Sequence, residues 1–195
     1  LVHFSNKVVC ATSEFENIPS KTLELLSKNI KITPSSIVFR CAQIRSKEKE
    51  MALKSNFLTP KWFLIKNTDD LIKASKALNN SGILKTNSFG YDGKGQIKIN
   101  NDMNLFQELI QFKREISIMF FKSHDETYGF FPLSENYHEN GILKKSIAPI
   151  VLNKITEQEL KLKTKKLAEN LNFYGVLALE LFELTDGSLI FNEIA

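Results

Sequence analysis

The segment GVLALELFELTDGSLIFNEIA, residues 175 to 195, constrains the fold most, because two apolar, strand-like runs flank an Asp-Gly pair. Asp-Gly between alternating apolar residues is the strongest short-range signal for an antiparallel hairpin. With Asp186-Gly187 as a two-residue turn, Thr185 faces Ser188, Phe182 faces Phe191 and Glu180 faces Glu193. Strand side chains alternate with period two, so both carboxylates emerge on one face beyond an apolar patch. Glu180 interrupts a run that otherwise reads as a buried strand, where an ionised carboxylate is costly unless it has a partner. Two such charges about 5 Å apart repel by roughly 3 kcal/mol at an effective dielectric of about 20. A divalent cation between them turns repulsion into binding, and oxygen ligands with Asn192 nearby suit Mg²⁺ carried by a phosphate substrate. The competing explanation is neutralisation by Lys or Arg, or a bulge that shifts the register by one.

A second feature points to phosphate as well. In SGILKTNSFGYDGKGQIKIN, residues 81 to 100, Gly90, Gly93 and Gly95 are interleaved with Tyr91, Asp92 and Lys94, and Lys85 lies upstream. Glycines let backbone N–H groups crowd around an anion, and lysine adds a mobile positive charge. The spacing is neither GxxxxGK[ST] nor a dinucleotide fingerprint, and no helix clearly follows. Strand, loop and strand suggest a flap over phosphates; an ordinary hairpin with a glycine-rich turn is the alternative.

The rest of the chain frames these two features. Ser20 opens a short helical stretch, SSIVFRCAQIRSKEKEMALKSN reads as helix interrupted near Arg45, and Thr68 caps a helix with Leu71, Ala74 and Leu78 on one face. Strands dominate from Gly82, until Thr156 and Glu159 form a capping box for a helix with Leu160, Leu167, Ala168 and Leu171 inward. This order predicts an α+β chain of two lobes with a boundary near 55 to 65. The 195 residues carry a net charge of +4, from lysines spread among glutamates, so no nucleic-acid stripe is expected. No apolar run approaches the roughly 18 to 20 residues of a membrane span. Two cysteines, Cys10 and Cys41, are too few for a disulfide framework, and a reducing cytoplasm is the expected setting. Without an initiator Met, the chain reads as beginning inside a longer protein.

The stretches ILKTNSFGYDGKGQ, FKREISIM, FFPLSENYHENGILKKSIAP and GVLALELF…LIFNEIA resemble the 5-(carboxyamino)imidazole ribonucleotide synthase family, and SEFENIP and AQIRSKEKE match earlier parts in the same order. The resemblance implies an ATP-grasp fold clamping ATP between two α+β lobes. It implies carboxylation of aminoimidazole ribonucleotide by bicarbonate through carboxyphosphate, giving ADP and phosphate in purine synthesis, by a cytoplasmic homodimer. By this resemblance Arg45 and Lys85 contact ATP. Gly90, Tyr91, Asp92, Gly93, Lys94, Gly95 and Gln96 form the lid loop, with Lys94, Tyr91 and Asp92 at the reacting groups. Gln107, Glu108, Leu109 and Ile110 are the hinge that reads adenine, Glu115 holds the ribose and His138 lies at the nucleotide. Asn192 and Glu193 approach the phosphates, and Glu180 and Glu193 bind Mg²⁺.

Read from the residues alone, His138 lies in a polar turn, Glu115 suits a surface salt bridge beside Lys113 and Arg114, and Arg45 suits the solvated charge run RSKEKE. The resemblance makes residues 1 to 60 the remainder of an N-terminal domain, and 61 to 195 an ATP-grasp domain with lobes at about 61–122 and 123–195. The fold is then incomplete at both ends: the family's first βαβ unit and its last domain lie outside this chain. The Gln96 to Gln107 interval is also shorter by about three helical turns' worth of sequence. A fragment of this kind is expected to keep most ATP contacts and have little ligase activity. A non-catalytic nucleotide-binding module and another ATP-grasp ligase, such as the formate-dependent glycinamide ribonucleotide transformylase, are the alternatives.

Overall fold

The computed structural model describes residues 1–13, 17–88 and 104–195. The residues expected to form the lid loop, Gly90, Tyr91, Asp92, Gly93, Lys94, Gly95 and Gln96, lie outside the described residues.

The first part is helical, as its pattern predicts. Helix α1 (Val2–Ser5) precedes strand β1 (Cys10–Ala11), which pairs in parallel with β2 (Lys31–Ile32) across helix α2 (Ser20–Leu26). Pro19, not Ser20, occupies the cap position of α2. The long charged stretch is indeed broken, into α3 (Ser36–Ala42) and α4 (Arg45–Lys54).

Two antiparallel sheets follow. Strands β3 (Trp62–Ile65) and β4 (Gly82–Thr86) flank β5 (Asn104–Glu108), and helix α5 (Thr68–Ala77) covers the sheet. Asn67 rather than Thr68 caps α5, accepting from the Asp70 amide at 2.9 Å. Ile65, Ala74, Leu78 and Phe106 form its small core, with Leu71 and Leu84 packed against it.

The larger sheet has six strands. These are β6 (Arg114–Lys122), β7 (Tyr128–Phe130), β8 (Ser134–Glu139), β9 (Ile142–Ile147), β10 (Gly175–Glu183) and β11 (Leu189–Ile194). The order is β11-β10-β6-β8-β9, with β7 also on β6, so the change of sheet falls at 109–113. Helix α6 (Lys154–Asn170) packs Leu160, Leu167 and Ala168 beneath it, together with Leu171. The expected Thr156 box is not its start: Asn153 caps the helix, accepting from the Ile155 amide at 2.9 Å. Ile116, Ile118 and Phe120 of β6 and Leu177, Leu179 and Leu181 of β10 face that core. Period-two alternation therefore sends Glu115, Ser117, Glu180 and Phe182 to the other, open face.

Candidate functional site

The C-terminal hairpin delivers its two acids by a route the Asp-Gly signal does not anticipate. Leu184, not Thr185, bonds to Ser188, its amide donating to the Ser188 carbonyl at 2.9 Å. The loop is thus three residues, Thr185 to Gly187, and Gly187 takes the positive φ of 83° that such loops need. Phe182 consequently pairs with Ile190, and Leu181 with Phe191, correcting the expected Phe182–Phe191 pair. A register shift between Glu180 and Leu181 then adds Asn192 to β11, and Glu180 faces Glu193 after all. The bulge is real, and it restores the pairing that a longer turn displaces. Two residues opposing one is what a bulge does, so Phe191 and Ile194 both stay buried while the acids share the open face.

Around Glu180 the open face is polar and half-buried. Asn136 Nδ2 donates to Glu180 Oε1 at 3.2 Å and to Ser117 Oγ at 2.6 Å, while Ser146 Oγ donates to Asn136 Oδ1 at 2.9 Å. Burial, then the Glu193 charge, pushes the Glu180 carboxyl up to about 7. Among the described residues no ion pair is made by Glu180, whereas Arg45 Nη1 lies 3.2 Å from Glu193 Oε2. Neutralisation by arginine therefore holds for one acid of the pair.

Arg45 does not belong to a solvated charge run. It opens α4, whose Ser46, Glu48, Lys49 and Ala52 are buried against β11. Its amide donates to the Asn87 carbonyl at 2.9 Å, and the Ser46 amide donates to Asn87 Oδ1 at 3.0 Å. This ties α4 to the end of β4, two residues beyond Lys85. Burial lowers the Lys85 ammonium below the usual lysine range; Arg45 acts the same way, while Glu193, Glu48 and Glu115 oppose it.

His138 sits within β8, not in a polar turn; that turn is at Asn140 and Gly141. Its Nδ1 is 2.7 Å from Glu115 Oε2. Burial raises the Glu115 carboxyl and the neighbouring His138 pulls it back. Among the described residues no surface salt bridge forms at Glu115; its neighbours Lys113 and Arg114 pair instead with the buried Glu183, at 3.0 and 2.6 Å. Glu115, His138 and Glu180 offer ligand atoms that all lie within 4.8 Å of one another, a set that does not include Glu193. Gln107 and Glu108 end β5, and Leu109 and Ile110 begin the change of sheet that follows it. Glu108 is fastened there, its amide donating to the Lys61 carbonyl at 2.9 Å.

Glu48, Lys49 and Asn136 were not singled out by the sequence. The first two are hidden in a run of charges that looks solvated, and Asn136 lies within the turn-like ENYHENG segment. A sequence model of the ATP-grasp domain matches residues 50–195. The chain belongs to the ATP-grasp family. Among curated relatives, the N5-carboxyaminoimidazole ribonucleotide synthase of Brucella melitensis biotype 1 is 33% identical, over 94% of this chain and 55% of its own length. That of Staphylococcus aureus (strain MRSA252) is 32% identical, over 94% of this chain and 52% of its own. A solved ADP complex of an N5-carboxyaminoimidazole ribonucleotide synthetase superposes on all of this chain and 55% of that one, with a TM-score of 0.92 and 30% identity. This ATP-grasp chain therefore spans about half the length of the relatives it matches. No helix among the described residues is long and apolar enough to cross a membrane.

Proposed function

We propose that the chain is the nucleotide-gripping part of an N5-carboxyaminoimidazole ribonucleotide synthase, a ligase of purine biosynthesis acting in the cytoplasm as a homodimer. In that reaction bicarbonate attacks the γ-phosphorus of ATP, giving carboxyphosphate and ADP. The carboxyl group then passes to the amine of aminoimidazole ribonucleotide and phosphate leaves. The observation that carries this reading is the pairing of Glu180 with Glu193 across β10 and β11, with Arg45 3.2 Å from Glu193. The relatives at 33% and 32% identity and the ADP complex at 30% support it.

Phosphoryl transfer asks a protein for positioning and charge neutralisation more than for a nucleophile. Lys85 and Arg45 would neutralise phosphate oxygens, strengthened by a site that is partly out of water. Gln107 to Ile110 would present backbone groups to adenine, and Glu115, held beside His138, would accept from ribose hydroxyls. The loop Gly90 to Gln96, with Tyr91, Asp92 and Lys94, is assigned by resemblance to close over the phosphates and exclude water.

Glu180 and Glu193 fit a hard divalent cation. Both offer carboxylate oxygens on one face, and Glu180 is a half-buried acid whose ionised form has an unfavourable neighbour. Bound there, Mg²⁺ would supply charge to the phosphates. Arg45 would hold Glu193 in place, and Asn136 would orient Glu180.

Nucleotide titration tests the reading. The chain is expected to bind ATP and ADP more tightly with Mg²⁺ than without it. Any phosphate release is expected to need bicarbonate with aminoimidazole ribonucleotide, not formate with glycinamide ribonucleotide. Release with formate would overturn the substrate assignment, and failure to bind nucleotide would overturn the whole reading.

A further inference from the structure

We propose that Glu48 and Lys49 are positioning residues that set the placement of Glu193 by gripping the peptide groups on either side of it. This rests on Glu193 acting as a ligand for metal-bound nucleotide. Lys49 Nζ donates to the Asn192 carbonyl at 3.2 Å, and Glu48 Oε1 accepts from the Ile194 amide at 2.5 Å. One turn earlier on the same helix, Arg45 holds the Glu193 carboxylate itself at 3.2 Å. Three side chains of α4 therefore fix the backbone before Glu193, its carboxylate, and the backbone after it.

The need for such a grip is local. β11 is an edge strand, met on its outer side among the described residues by a single bridge from Leu58 to Ile190, and Asn192 is the extra residue of a bulge. Bulged residues are left out of the ladder, so strand pairing alone holds Glu193 loosely. Glu48 and Lys49 are each only 2% exposed. Covering an edge does not call for two buried ionisable side chains, since well-packed apolar side chains are often as stabilising or more so. A pair aimed at the two peptide groups around one acid does what apolar cover cannot: it fixes that acid's direction. The first turn of α4 also holds Asn87, two residues past Lys85, and Asn87 is itself buried. Helix α4 is thus a rigid spacer between the lysine of one sheet and the acid of the other.

The test is calorimetric titration of ADP into the 195-residue chain, with and without Mg²⁺, paired with thermal unfolding. Lys49→Met and Glu48→Ala are expected to weaken Mg²⁺-dependent ADP binding about tenfold or more, while leaving metal-free ADP binding within about twofold. Glu48→Gln keeps an acceptor for the Ile194 amide and is expected to stay within about threefold of the parent. Thr164→Val, which removes a buried hydroxyl in α6 bonded to the Leu160 carbonyl at 2.8 Å, is expected to lower the melting temperature without altering the Mg²⁺ dependence. If Glu48→Ala does not fold, Lys49→Met against Glu48→Gln carries the comparison. Variants that bind Mg-ADP like the parent, or that lose metal-free and Mg-ADP binding equally, overturn the positioning role and leave the nucleotide site standing. A parent chain with no Mg²⁺ dependence overturns the nucleotide reading first, and this proposal with it.

Discussion

Glu180 and Glu193 are paired across β10 and β11 with a bulge beside them, and both point to the open face of the six-stranded sheet. The arrangement loads one half-buried acid with another's charge. Burial and Glu193 raise the Glu180 carboxyl from 4.5 to about 7. A carboxyl raised in the folded state binds its proton more tightly there than in the unfolded chain. Its stabilising contribution is complete below about pH 4.5 and is lost as pH rises through about 7. Glu180→Gln is therefore expected to melt a few °C above the parent at pH 8 without metal, and to show no such gain at pH 5. Differential scanning calorimetry at the two pH values checks this.

The same proton competes with the metal. Lowering the pH from 8 to 6 is expected to weaken Mg²⁺ binding by about tenfold, because one carboxyl must release its proton before it can ligate. Titrating Mg²⁺ against the melting temperature measures it; affinity that does not change across that interval would count against Glu180 as a ligand.

Lys85 is held in a buried position that disfavours its charge. Lys85→Met is expected to leave stability unchanged or slightly higher, while ATP binding falls about tenfold to a hundredfold, the worth of a charge-assisted hydrogen bond. Parallel calorimetry and thermal unfolding separate the two effects. A fall in both would mean that Lys85 is structural.

Arg114 is the structural counterpart. Its Nε lies 2.6 Å and its Nη1 3.1 Å from Glu183 and Glu135, and Glu183 is 5% exposed. Arg114→Met leaves a buried acid with only Lys113 at 3.0 Å. Loss of about 3 kcal/mol is expected, as for removal of one partner from a buried pair. Urea unfolding at pH 7 gives the value.

Gly82 sits against Phe106 and Gln107 of β5. A Cβ there would lie 2.4 Å from Phe106 Cζ and 2.9 Å from the Gln107 carbonyl oxygen, so backbone must move. Gly82→Ala is expected to cost about 1–3 kcal/mol and to weaken nucleotide binding. Trp62, the only tryptophan, pairs with Gln107 and reports the change by fluorescence.

Much of this was legible because period-two alternation and helix faces are written locally. Leu160, Leu167, Ala168 and Leu171 share the inward face of the sequence pattern and are buried, and the pattern's facing pair Glu180 and Glu193 does face across the hairpin. That second agreement came from two offsetting features, a three-residue loop and a bulge, which no local signal separates from a two-residue turn without a bulge. The helix caps slipped by one to three residues, to Asn153 and Asn67, since Asn, Ser and Thr offer the same acceptor chemistry. Glu48 and Lys49 were illegible for a deeper reason. A charged helix face looks solvated until an edge strand distant in sequence is laid over it.

Anomalous diffraction from crystals of the chain with Mn²⁺ and ADP locates the metal relative to Glu180 and Glu193. One manganese peak is expected about 2.0–2.3 Å from a carboxylate oxygen of both Glu180 and Glu193, with Lys85 reaching the phosphates. A peak seated instead on Glu115, His138 and Glu180, with Glu193 still on Arg45, would contradict it.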